Sequence, residues 1–277
     1  MRVAAIMTCH NRKEKTLACL CSFFSLMPEA EVFLTDDGCT DGTSEAVKKA
    51  FPQVHIVTGD GNLFWSRGMY TAWKEAVKGK YDFYLWLNDD IELYPNVITE
   101  LMECERIGDG NCIVSGLIES FDHTKILYGG TDNQKQLITS SSEPQPITNM
   151  NGNVVLIPQS VVYKIGIIDP HLHHDLGDVD YGLTAIENGI KVLATRTPVA
   201  AGYSNDFCRV RKWGTNVSNR LAKLKSPLGS PPTINFYFRK KHYGLFNATA
   251  YWCYLYFINI LPDNVIELLF GDTYKDK

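Results

Sequence analysis

The sequence predicts an α/β protein, with a mostly parallel sheet flanked by helices and a helical tail behind it. Three observations predict this. Over the first ~115 residues, short apolar runs alternate with amphipathic helical stretches, the pattern of successive βαβ units. The polar clusters Thr8–Arg12, Asp36–Asp41, Gly59–Arg67 and Asn88–Asp90 each follow an apolar run. They would therefore gather at the carboxyl ends of parallel strands, where such sheets bind ligands. Beyond Asp206 the composition changes, and one basic block leads into an aromatic helix.

The elements follow in order. Val3–Thr8 is an apolar run, and Lys13–Phe24 has helical spacing. Glu31–Thr35 is a second strand, and Thr43–Ala50 a helix with Thr43 as the expected N-cap. Val54–Thr58 is a third strand and Ser66–Lys78 a helix. Phe83–Asn88 is a fourth strand, Pro95–Arg106 a helix with Pro near its start, and Cys112–Ser115 a fifth strand. The middle third, Gly116–Tyr203, is less regular. Gln134–Gln145 is polar and Ser-rich and reads as a hairpin or loop, Val154–Ile157 as a strand, and Val161–Ile165 as a short helix. Tyr181–Asn188 reads as a helix stopped by Gly189, with the strand Lys191–Ala194 behind it. This divides the chain into a domain over 1–205, with a regular half over 1–115 and a less regular half over 116–205, and a basic, aromatic helical tail over 206–277.

With 277 residues, 45% hydrophobic and 21% charged, the composition is that of an ordinary globular enzyme. The eight cysteines include no CxxC pair. With no secretory h-region in the apolar N-terminus, reduced thiols and a cytoplasmic location are expected. The net charge of −4 is unevenly spread. From Phe207 to Pro262 there is no Asp or Glu, but Arg209, Arg211, Lys212, Arg220, Lys223, Lys225, Arg239, Lys240 and Lys241 all fall there. Such a block is either a solvated face or a surface for an anionic partner.

Asp89 and Asp90 follow the strand Phe83–Asn88 directly. Adjacent like charges repel, and each is costly to desolvate. A divalent cation would remove the difficulty, as would a solvated turn. Asp36-Asp37-Gly38-Cys39-Thr40-Asp41-Gly42 has the composition of a tight turn, but a carboxylate such as Asp37 can also accept the ring N–H of a pyrimidine. In Gly59–Gly68 the glycines allow close backbone approach, and Arg67 supplies charge for a phosphate.

Met7-Thr8-Cys9-His10-Asn11-Arg12, Asp36–Thr43, Gly61-Asn62 with Arg67-Gly68, and Asn88-Asp89-Asp90, in this order and spacing, resemble a family 2 glycosyltransferase. The resemblance covers about residues 1–205 and implies that this is a catalytic domain, with 1–115 as its nucleotide-binding half and 116–205 as its acceptor half. It implies a GT-A fold, a hexosyltransferase type of activity on a UDP- or dTDP-sugar, and a role in polysaccharide and cell-envelope biosynthesis. Thr8, Cys9, Arg12, Asp37, Gly61, Asn62, Arg67, Asn88 and Asp89 would then bind the nucleotide. Asn88-Asp89-Asp90 is similar to the DXD element, so Asp90, with Asp89, would hold Mg²⁺ or Mn²⁺ against the diphosphate. Leu176-Gly177-Asp178-Val179-Asp180-Tyr181 resembles the ED motif and implies Asp178 as the base of an inverting displacement, although Gly177 stands where Glu is usual. The alternative for Asp178 and Asp180 is capping of a helix N-terminus. Many relatives carry a metal-ligating histidine after the base; Ala200–Asn205 contains none, and His173 and His174 are the nearest in sequence. The Gly61-Asn62-Leu63-Phe64-Trp65 variant is similar to that of rhamnosyltransferase-like members.

Gly244–Leu261 is uncharged and aromatic, with Arg239-Lys240-Lys241-His242 before it. Its polar residues fit an interfacial helix better than a span. Packing on the catalytic domain or a second subunit would explain the same pattern. A polyprenyl-diphosphate-linked or glycan acceptor would suit a membrane-facing tail. Two other classes compete: a non-catalytic binder of sugar nucleotide or glycan, and a sugar nucleotidyltransferase. Thr8–Arg12 lacks the glycines of a nucleotidyltransferase phosphate loop, and no G-x-G-x-x-G follows the first strand, which counts against a Rossmann dehydrogenase.

Overall fold

A computed structural model describes residues 1–204 and 210–275. Asn205, Asp206, Phe207, Cys208, Arg209, Asp276 and Lys277 lie outside the described residues, and with them the start of the basic block and one of its arginines. The chain divides into two compact units, Met1–Pro170 with Gly177–Ser204, and His171–Leu176 with Asn205–Lys277.

The first unit begins with β1 (Val3–Cys9), α1 (Lys13–Leu26), β2 (Glu31–Asp36), α2 (Thr43–Ala50) and β3 (His55–Thr58). It continues with α3 (Phe64–Ala76), β4 (Phe83–Leu87), β5 (Glu92–Leu93), α4 (Val97–Ile107), β6 (Ile113–Ser120) and β7 (Ile126–Tyr128). β8 (Gln145–Pro146), β9 (Val154–Pro158), α5 (Gln159–Ile165), α6 (Gly177–Glu187) and β10 (Val192–Gly202) complete it. The strands form one sheet in the order β3-β2-β1-β4-β9-β6-β10-β5, with β7 on β6 and β8 on β10. β3, β2, β1 and β4 are parallel, as are β6 and β10, whereas β9 runs antiparallel between the two groups.

Burial on both faces explains the continuous apolar runs. Along β1, Val3, Ala5, Met7 and Cys9 join one core cluster and Ala4 and Ile6 the other. The first cluster takes Leu20 and Phe23 from α1 and Val97 and Leu101 from α4. The second takes Met69, Ala72 and Trp73 from α3 and Tyr181 and Ala185 from α6. A sheet covered on both sides needs apolar residues at every strand position, so strand alternation disappears from the sequence.

Several boundaries differ from expectation. α3 begins at Phe64 rather than Ser66, and α6 at Gly177 rather than Tyr181, so Asp178 and Asp180 lie inside its first turn. Thr43 is the first helical residue of α2 and not its cap; Gly42 is the cap, at φ 80°. The side chain of Asp41 takes the capping role, accepting the Thr43 N–H at 3.1 Å and the Lys13 N–H at 3.0 Å. β6 and β10 run well past the expected four residues because they pair with each other in parallel, with register shifts around Pro198.

The second unit holds α7 (Val217–Lys225), α8 (Pro232–Ile260), α9 (Asp263–Phe270) and a 3₁₀ turn, Gly271–Tyr274. Here two of the basic residues have an internal role. Arg211 and Arg220 are 0% and 4% exposed. Arg211 donates to the Leu261 carbonyl at 3.0 Å, to the Ile258 carbonyl and to Asp263; Arg220 donates to the Asn259 carbonyl at 2.9 Å and to Asp263 at 3.1 Å. The last carbonyls of a helix have no intrahelical partners, and these guanidiniums satisfy them. For these two arginines the expectation of a solvated face or an anionic partner is corrected.

Candidate functional site

The ends of β1, β2 and β4 lie side by side, because parallel pairing sets Cys9 opposite Asp36 and Ile6 opposite Trp86. Each strand end turns into a polar loop, and the loops are bound to one another. The Asn11 side chain accepts from Thr40 N at 2.7 Å, and the His10 ring lies 2.6 Å from the Asp37 carbonyl. Cys9 and Cys39 approach to 3.8 Å between sulfurs, and burial pushes both thiols up in pKa. The described cysteines are free.

Asp37 is 3% exposed. Its carboxylate accepts backbone N–H groups from Gly61 at 2.9 Å, Leu63 at 3.1 Å and Phe64 at 2.8 Å. It therefore shapes the 59–64 loop that leads into α3. The fit is close: a Cβ on Gly38 would come within 2.8 Å of the Gly61 Cα, and Gly61 itself has φ 83°. Asn62 is exposed in this loop, its N–H donating to Asp60 at 2.8 Å. Thr8 packs on α3 where only glycine fits, since a Cβ on Gly68 would lie 2.2 Å from its Oγ1. Arg67 leaves the same helix and donates to the Pro170 carbonyl at 3.1 Å.

Asp89 and Asp90 meet a positive partner within the chain. Arg12 Nη1 lies 2.8 Å from Asp90 and 3.3 Å from Asp89. Asp89 is 5% exposed and also accepts from Thr16 Oγ1 at 3.2 Å. Burial pushes its pKa up to about 6, with Arg12 opposing and Asp90 adding to the rise. Asp90 is more open, its side chain 24% exposed. Among the described residues no three His, Cys, Asp or Glu side chains converge on a metal position. The donor set still fits a hard cation, because Mg²⁺ is commonly held by one or two carboxylates with substrate phosphates and water completing the shell.

Asn88 turns to the other side. Its Oδ1 accepts the Trp65 indole N–H at 2.8 Å, and its N–H donates to the Asn153 carbonyl at 2.9 Å. Next to Asn153, the Gly152 N–H donates to Asp178 at 3.0 Å. Gly152 lies so close to Trp65 that a Cβ there would meet the indole at 2.5 Å. Asp178, at the start of α6, also accepts from Val179 N at 2.9 Å. A chain of contacts thus runs from Asn88 through Trp65 and Gly152 to Asp178. The sequence reading assigns no role to Thr16, Trp65 or Gly152, whose partners lie far along the chain.

The sequence profile described as Glycosyl transferase family 2 matches residues 4–164. Two crystal structures of S. aureus TarS 1-349 share the fold. The first has a TM-score of 0.57 at 14% identity over 87% of this chain and 73% of that one. The second, in complex with UDP, has 0.54 at 14% identity over 73% and 60%. A search of curated protein sequences finds no match.

Proposed function

The chain belongs to glycosyl transferase family 2, and from that premise we propose that this GT-A glycosyltransferase is an inverting enzyme using a UDP- or dTDP-sugar. The observation that carries the proposal is the convergence, at one sheet edge, of the Asp37-held loop, Arg12 and the Asp89–Asp90 pair, with Asp178 tied to them through Trp65 and Gly152.

The 36–42 and 59–64 loops form a preorganised seat for the nucleoside, and Arg12 and Arg67 would supply positive charge for its diphosphate. Asp90, with Asp89 behind it, would hold Mg²⁺ or Mn²⁺. When bound, the cation neutralises the charge that grows on the diphosphate as the glycosidic bond breaks. Asp178 takes the proton of the acceptor hydroxyl while that oxygen attacks the anomeric carbon and the nucleoside diphosphate leaves. The Gly152 and Val179 N–H groups hold and orient its carboxylate. The acceptor is a hydroxyl of a glycan or lipid-linked glycan, handled on the cytoplasmic side.

The test is nucleoside diphosphate release from a panel of UDP- and dTDP-sugars with Mn²⁺, water serving as a slow acceptor. Wild type releases UDP or dTDP from at least one donor, and Asp178→Asn binds the nucleotide but releases none above buffer. Equal release by wild type and Asp178→Asn contradicts the assigned base, and no release from any donor contradicts the donor class.

A further inference from the structure

We propose that the second half of α8 is a contact surface for an anionic lipid membrane, an inference that does not depend on the catalytic reading. α8 breaks at Gly244, which has φ 83° and ψ 170°. The segment before the break carries Arg239, Lys240 and Lys241, and the segment after it, 245–260, carries no charge. On this second segment Phe246, Ala250, Cys253, Phe257 and Ile260 are all exposed. Their spacing of four, three, four and three places them on one helical stripe. Phe246 is 89% exposed and Ile260 53%. The opposite face is already covered: Ala248, Leu255, Ile258 and Asn259 are buried. The stripe is therefore a second apolar face, left over after the unit has formed its own core.

Its chemistry selects the occupant. No helix of the described residues is long and apolar enough to cross a membrane, so the segment would lie along a surface over about 24 Å. Trp252 on the flank is of the type that settles at the lipid–water boundary. From Val210 to Pro262 there is no acidic residue. Arg211 and Arg220 are consumed internally, but Lys240 is exposed at the basic end of the stripe. A second copy laid along the stripe in parallel would set two basic ends together, and like charges so placed repel. An anionic surface complements both the stripe and the lysines.

The test is co-sedimentation of the full chain with vesicles of phosphatidylcholine alone or mixed equally with phosphatidylglycerol. Wild type is expected on the mixed vesicles, and to come off as salt rises. Lys240→Gln with Lys241→Gln weakens binding roughly fivefold per lysine, and Phe246→Ser with Phe257→Ser abolishes it, circular dichroism being unchanged. If the double serine variant fails to fold, Phe246→Ser alone, at the most exposed of these positions, takes its place. Absence of vesicle binding, or equal binding by wild type and the folded serine variant, overturns the proposal. Loss of a dimer in the serine variant without vesicle binding in wild type overturns it in favour of a second copy.

Discussion

Two strands of the same sheet lead into the same two letters, yet Asp36-Asp37 and Asp89-Asp90 are held in opposite ways. Behind β2, Asp37 is surrounded by backbone N–H groups, and Asp36 accepts from Cys39 N at 2.7 Å and from Ser44. Behind β4, the charges face one guanidinium, and burial leaves Asp89 with its pKa pushed up to about 6. Backbone donors are fixed by the fold, so the first pair holds its own loops in place. A single Arg on a loop can share or change partners, so the second pair can accept a ligand. The difference teaches that a paired carboxylate is read by what solvates it, not by its letters.

Asp178 extends the comparison as a carboxylate held by two backbone N–H groups at a helix start, and it carries the largest expected effect. Asp178→Asn should slow transfer by about 10²–10⁴-fold with UDP affinity unchanged; a parallel loss of affinity would make it a structural carboxylate like Asp37. For Asp37→Asn, an amide NH₂ must face N–H donors, and urea unfolding should show about 2–4 kcal/mol lost. A variant as stable as wild type would break the contrast.

The third prediction concerns pH. The folded-state pKa of Asp89, about 6, lies above its ordinary 3.8, so the folded protein binds more protons between those values. Stability of metal-free protein should therefore fall as pH rises through about 4 to 6, by about 2–3 kcal/mol from this group. Urea titrations of Asp89→Asn in chelator should lack that slope, and an identical slope in the variant would remove Asp89 as its source. The smallest effect belongs to Trp65→Phe, which keeps the ring against Gly152 but deletes the bond to Asn88. Nucleotide affinity should fall about three- to tenfold, measured beside an unchanged melting temperature.

The strands of the first half were legible because a sheet buried on both faces writes uninterrupted apolar runs, as in Ala4–Met7 and Tyr84–Leu87. The loops were legible because Asp and Gly favour the turns that follow such strands. What could not be read was set by partners far along the chain. Trp65 looks like one more aromatic until Asn88 and Gly152 are brought to it. Arg12 sits 77 residues before Asp89 and is its counter-charge only in the fold. Arg211 and Arg220 looked like surface charge because the carbonyls they satisfy leave no trace in side-chain identity. The start of α6 at Gly177 was hidden because Gly and Asp usually mark a turn.

The most direct test is calorimetric titration of UDP and dTDP, each with and without Mn²⁺, on wild type and Asp90→Ala. The account predicts metal-enhanced binding of one of them to wild type and loss of the Mn²⁺ dependence in Asp90→Ala. Binding that is the same in both proteins with Mn²⁺ present would contradict it, and would leave Asp89 and Asp90 as no more than partners of Arg12.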